Sequence, residues 1–95
     1  MSVYMIIDSE VLEPERYAEY VSKARTIVES HGGRYLAQGG AITPIAGDWN
    51  PQRIVIIEFP SMDQFRTCFA SKEYGEISHL REGSMRGRVI AVEGE

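Results

Sequence analysis

The side chains of this 95-residue chain best suited to chemistry are two carboxylates and a few arginines. Asp8 closes the run Val3-Tyr4-Met5-Ile6-Ile7, and Glu58 stands near the end of Arg53-Ile54-Val55-Ile56-Ile57-Glu58-Phe59. Short β-branched and aromatic runs of this kind are strands. If these two strands are parallel neighbours, the carboxylates share one end of a sheet, where Arg86 and Arg88 begin a last strand. Paired carboxylates beside arginines could abstract a proton next to a carbonyl and steady the enolate, with like-charge proximity raising one pKa toward neutrality. The same four residues also read as two ion pairs closing a sheet. Glu58 is the less exposed acid and the better candidate for a base.

A second group falls near the C-terminus. Tyr74 and Arg81, seven residues apart, share a face of a continuous helix, while His79 points elsewhere. A phenolic hydroxyl beside a guanidinium suits a carboxylate or enolate ligand. Equally, the tyrosine packs in the core and the arginine pins its helix to a neighbour. Asp48, Trp49 and Arg53 mark a loop before the Arg53–Phe59 strand. Trp49 is either a lid over a pocket or an anchor in a subunit interface, and the enrichment of tryptophan at interfaces favours the second.

Other reactive side chains have structural readings. His31 follows the first helix and offsets its C-terminal dipole. The two histidines, His31 and His79, lie on separate elements without metal-ligand spacing, so neither a metal site nor a cofactor is expected. Cys68 shares a helical face with Phe65 and Phe69 and reads as core. No Gly-x-Ser-x-Gly elbow and no phosphate-cradling glycine loop is present, which argues against hydrolase and nucleotide-binding classes.

The elements that must position these groups follow from periodicity. After the first strand, Tyr17, Tyr20, Val21, Ala24, Ile27 and Val28 recur at helical spacing, with Pro14 in the first turn and Gly32-Gly33 beyond the end, predicting a helix over about Pro14 to Ser30. Arg34-Tyr35-Leu36-Ala37-Gln38 is a second, edge strand, broken at Gly39-Gly40 as at a bulge. Arg53–Phe59 should be central. Ser61 with Gln64 three residues on is a capping box opening a second helix, interrupted at Ser71-Lys72 before a shorter helical stretch to about Glu82. Gly87 to Val92 is the last strand. The expected fold is α+β, a ferredoxin-like βαββαβ sandwich with a four-stranded, mainly antiparallel sheet in which strands one and three lie parallel in the middle.

Bulk properties narrow the function classes. The length gives one domain, residues 1–95. A net charge of −4 with scattered basic residues argues against nucleic acid, and no apolar run is long enough to cross a bilayer. A single cysteine and the lack of a signal segment fit the cytoplasm.

The strands do not alternate apolar with polar. Val3, Met5 and Ile7 oppose Tyr4 and Ile6; Ile54 and Ile56 oppose Val55, Ile57 and Phe59; Val89 and Ala91 oppose Ile90 and Val92. Two helices can cover only one face. Leaving the other wet would forgo on the order of 10 kcal/mol, so a homodimer through facing sheets is expected. The alternative is a buried strand set capped by loops, which here are short for that task.

The stretches Gly32-Gly33-Arg34-Tyr35-Leu36, Gly39-Gly40, Gly47-Asp48-Trp49, Arg53 to Ser61 and Ser71-Lys72-Glu73-Tyr74 with Arg81 span nearly the whole chain. In that order they resemble domain-of-unknown-function family 1330 of the dimeric α/β-barrel superfamily. The resemblance implies a ferredoxin-like protomer and a homodimer with facing sheets, which together form a dimeric α/β barrel, and no established reaction. Where the family pattern has an arginine before the second glycine pair this chain has Gln38, and where it has a proline after the serine this chain has Lys72. An arginine that holds an anion in relatives would make Gln38 a contact for a different ligand or for none. The combined expectation is a cytoplasmic homodimer with a small-molecule pocket between sheet and helices, contacted by Tyr74, Arg81, Gln38, Arg53 and Trp49, with Glu58 as base. By superfamily analogy a cofactor-free oxygenation or isomerisation would fit; the competing class is a non-enzymatic ligand-sensing or interaction protein.

Overall fold

A computed structural model describes the whole chain, residues 1–95. Its elements are β1 (Val3–Val11), α1 (Pro14–Ser30), β2 (Arg34–Gln38), β3 (Arg53–Phe59), α2 (Met62–Phe69), α3 (Lys72–Arg81) and β4 (Met85–Glu93). Local chemistry sets most of these ends. Pro14 opens α1, and the chain leaves it through Gly32 at φ +83°, the left-handed conformation that glycine adopts without strain. Ser61 caps α2 by accepting from the Gln64 backbone N–H at 3.2 Å, and Ser71 caps α3 by accepting from that of Tyr74, also at 3.2 Å. The Ser71 cap is why the helical pattern breaks there and restarts.

The strands form one sheet in the order β2-β3-β1-β4, and every neighbouring pair is antiparallel. The expectation that strands one and three run parallel is therefore corrected. The α1 crossover brings β2 back parallel to β1, and the β2–β3 connection then reverses the chain, so β3 enters between them in the opposite sense. Two further details differ from expectation. The register shift in β2 lies between Tyr35 and Ala37 rather than at Gly39-Gly40, and β1 and β4 each run to nine residues.

All the helix packing falls on one face. Val28 of α1, Val55, Ile57 and Phe59 of β3 and Cys68 of α2 form the main core, in which Phe59 meets Phe65 and Phe69 edge to face. A second cluster, Ala24, Ile77 and Leu80, joins α1 to α3. The other face carries Tyr4, Ile6, Ile54, Ile56, Ile90 and Val92 with no helix over it. Ile90 is 60% exposed and Val92 47%. β4 is exposed along its whole length after Met85. No helix is long and apolar enough to cross a membrane.

Candidate functional site

Between α1 and the covered face of the sheet lies a water-sized cavity of about 30 Å³. Met5, Ile7, Val55 and Ile57 form its floor; Tyr17, Tyr20, Val21, Ala24 and Val28 of α1 form the roof; Tyr35, Gln38 and Phe69 close the sides. The roof residues are those whose helical spacing turns them to the sheet. On the outer side of Tyr17 and Val21, which wall both spaces, an open groove of about 390 Å³ runs along α1. It is lined by Val11, Pro14, Tyr17, Ala18, Val21, Ser22 and Arg53.

Tyrosines supply most of the polar atoms here. The Tyr20 and Tyr74 hydroxyls hydrogen-bond at 2.8 Å and so tie α1 to α3. Burial, then the bond to Tyr74, pushes the Tyr20 hydroxyl far above its usual pKa, while the Arg81 guanidinium pulls slightly the other way. Burial also pushes Tyr35 up to about 12. Both phenols are protonated at neutral pH. Arg25 stacks on the Tyr35 ring at 4.8 Å and donates to Gln38 Oε1 at 2.9 Å. Arg53 lies over the Tyr17 ring at 5.4 Å and its Nε donates to the Tyr17 hydroxyl at 3.3 Å. No carboxylate or histidine lines the cavity or the groove.

The acids named from sequence stand on the opposite face and apart from each other. Glu58 pairs across β1 with Tyr4 and Asp8 with Ile54, so they are four residues, roughly 13 Å, apart along the strand. Asp8 accepts from Trp49 Nε1 at 3.0 Å and from Arg88 at 3.1 Å; these two bonds hold its carboxyl below its ordinary pKa. Glu58 is likewise held below the usual range, by the Tyr4 hydroxyl and then by Arg34 at 2.8 Å. Arg86 pairs with Glu10 at 3.0 Å. Of the two readings of these acids, the structure shows ion pairs, Asp8 with Arg88 and Glu58 with Arg34, rather than a shared site with one raised pKa, because antiparallel strands put the two acids at different ends. Trp49, bonded to Asp8, belongs to this open face. There it walls a groove of about 430 Å³ with Ile6, Asp8, Asp48, Arg88 and Ile90.

The structure therefore places Gln38 at the cavity, Arg53 at the groove and Tyr74 and Arg81 beside Tyr20, all on the helix side, and separates Glu58 and Trp49 from them. Sequence reading missed Tyr17, Tyr20, Tyr35 and Arg25. The two α1 tyrosines were visible as part of an apolar stripe, but spacing does not show that a ring's hydroxyl meets Tyr74 across another helix. His31 bonds the Ile27 carbonyl at 2.9 Å at the end of α1. Cys68 is fully buried, and burial raises its thiol to about 11. No three His, Cys, Asp or Glu side chains are grouped to hold a metal ion.

A family model described as "Domain of unknown function (DUF1330)" matches residues 2–95. The chain belongs to that family. No curated protein matches it. Among solved structures, it is similar to a protein of unknown function from Rhodopseudomonas palustris (TM-score 0.75, 21% identity, covering 99% of this chain and 82% of that one). It is also similar to SnoaB, a cofactor-independent oxygenase from Streptomyces nogalater (TM-score 0.74, 11% identity, 99% and 93% covered). A third is a dimeric ferredoxin-like protein of unknown function from Thermobifida fusca (TM-score 0.63, 15% identity, 97% and 88% covered). At these identities the likeness establishes the ferredoxin-like fold of this DUF1330 chain.

Proposed function

We propose that this DUF1330 protein is a cytoplasmic homodimer that binds a small organic molecule in the seam between α1 and the sheet. The observation that carries the reading is an open groove of about 390 Å³ that shares its walls Tyr17 and Val21 with a tyrosine-lined apolar cavity. Apolar walls with a few fixed donors are how small-molecule sites are built. Gln38 and Arg53 face the ligand directly. Tyr74 and Arg81 act through Tyr20. Cofactor-free oxygenation of an easily ionised phenol or enol, with O2 as co-substrate, is the turnover this fold supports, by likeness to SnoaB. Isomerisation is not carried, because it needs a base and the seam holds neither a carboxylate nor a histidine.

The dimer reading rests on the open face. Its isoleucines are flanked by ion pairs whose arginine side chains, Arg34, Arg86 and Arg88, are 71–79% exposed. An apolar centre with a polar rim is the anatomy of an isologous interface. Trp49 and Glu58 then serve assembly.

Oxygen uptake without added metal or flavin, over a panel of phenols and enolisable ketones, tests the reading together with thermal-shift binding. Uptake that stops in Ala18→Trp, which fills the groove from an exposed helix position, supports an oxygenase working in the seam. Binding without uptake turns the protein into a ligand sensor. Neither binding nor uptake across the panel overturns the seam as a site. Equilibrium sedimentation at micromolar concentration reports on assembly, where a folded monomer alone would end the homodimer reading.

A further inference from the structure

We infer that the seam takes an apolar monocarboxylate, its acid group held by Arg53 and its body laid along the α1 groove. The inference rests on the seam being the ligand site, as proposed above, and adds the chemical class. Four cations make no ion pair with a carboxylate: Arg53, Arg66, Lys72 and Arg81. Arg66 and Lys72 stand in solvent, and Arg81 closes α3 away from the groove, whereas Arg53 is half-buried at the groove wall. A guanidinium has five N–H donors, and Arg53 uses one, from Nε to the Tyr17 hydroxyl. The remaining fork has no protein acceptor.

The surroundings are shaped for that guanidinium. Gly39 turns at φ +70°, the left-handed conformation that favours glycine, and a Cβ there would fall 2.4 Å from Arg53 Nη1, so a larger residue would displace the head group. The Tyr17 ring fixes its plane from the other side. A cation held this way beside apolar walls attracts an anion more strongly than one in water. Gln38, next along the chain from Gly39, lines the neighbouring cavity, and with its Oε1 engaged by Arg25 it offers only amide N–H groups there. Every polar group offered is a donor except the Ser22 and tyrosine hydroxyls, which can serve either way. One unpaired cation favours a monoanion. The apolar lining selects a hydrocarbon or aryl body, and about 390 Å³ lies at the small end of ligand sites, roughly 300–1,000 Å³.

The test compares benzoate, naphthalene-2-carboxylate and octanoate with their neutral amides, by calorimetry on the folded dimer, in the native protein, Arg53→Gln, Arg53→Lys and Ala18→Trp. The acids should bind about 10- to 100-fold more tightly than the amides, the contribution of a charge-assisted bond. Arg53→Gln should bring the acids to the level of the amides and leave the amides unchanged. Arg53→Lys, which keeps the charge but loses the planar fork, should fall between and decides the matter if the glutamine variant does not fold. Amides binding as tightly as acids would overturn the monocarboxylate while leaving the seam intact. Acids binding equally to native protein and both Arg53 variants would remove Arg53 as the holder. Probes that bind no protein, or bind Ala18→Trp unchanged, would overturn the seam and this inference with it.

Discussion

The two faces of the sheet are built from similar residues and have opposite fates. On the covered face, Val3, Val55, Ile57 and Phe59 are at most 3% exposed, packed under α1 and α2. On the other, Ile6, Ile56 and Ile90 are as apolar but have no cover, and the arginines Arg34, Arg86 and Arg88 are each already paired with a carboxylate on the same face. The covered face leaves one guanidinium without an anion in a groove; the open face leaves hydrocarbon without a partner. An unsatisfied charge calls for a ligand with an acid, and an unsatisfied apolar surface calls for another protein surface. The proposed ligand site and the proposed interface thus lie on opposite sides of one sheet.

The sharpest way to break this comparison is to damage each face by one side chain. Phe59→Ala empties the centre of the covered core and should cost about 3–5 kcal/mol, much of a small domain's stability, seen as loss of the cooperative urea transition. Ile90→Asp should instead leave the protomer folded by circular dichroism while weakening self-association at least about 100-fold in sedimentation, because a two-fold interface loses the side chain twice at roughly 1.5–3 kcal/mol each. If Ile90→Asp unfolded the chain as Phe59→Ala does, the open face would be core rather than interface.

A smaller effect sharpens the helix side. Tyr20→Phe or Tyr74→Phe removes one hydroxyl from the α1–α3 pair and should lower stability by about 1 kcal/mol in urea melts, with the double variant costing little more than either single change. Strict additivity would mean that the two hydroxyls act independently.

The smallest effect concerns acid. Asp8 and Glu58 have folded pKa values below their unfolded ones of 3.8 and 4.5, so their stabilisation is complete above those values and disappears as pH falls through the folded pKa. Asp8→Asn and Glu58→Gln should each lower stability above about pH 4.5, where the native carboxylate is ionised and paired, and converge with the native protein as pH falls through the folded pKa. A variant that instead gained stability relative to the native protein as pH rose toward neutrality would show a raised pKa and restore the carboxylate as a candidate base.

Most of the element pattern was legible. The Tyr17 to Val28 stripe, the Ser61 and Ser71 breaks and the Arg53–Phe59 run are local signals, and local backbone chemistry sets those boundaries. The double-sided apolar strands also announced an uncovered face, since burial preference is written residue by residue. Less was legible at the site. Pairing Asp8 with Glu58 required knowing strand direction, and one antiparallel reversal moved the acids roughly 13 Å apart along the strand. Trp49 was read as nearer an interface than a lid; its bond to Asp8 depends on where a long loop comes to rest.

By itself, then, the sequence determined the kinds of elements, their order and the fact that hydrocarbon would be left over on both sides of a sheet. Those follow from periodicity and side-chain transfer free energy, which act within a few residues. Only the tertiary structure decided which groups meet: Tyr20 with Tyr74, Arg53 with Tyr17 and Gly39, Asp8 with Trp49. Those contacts join residues 14 to 54 positions apart, and their existence depends on strand direction and helix packing that no short-range pattern encodes.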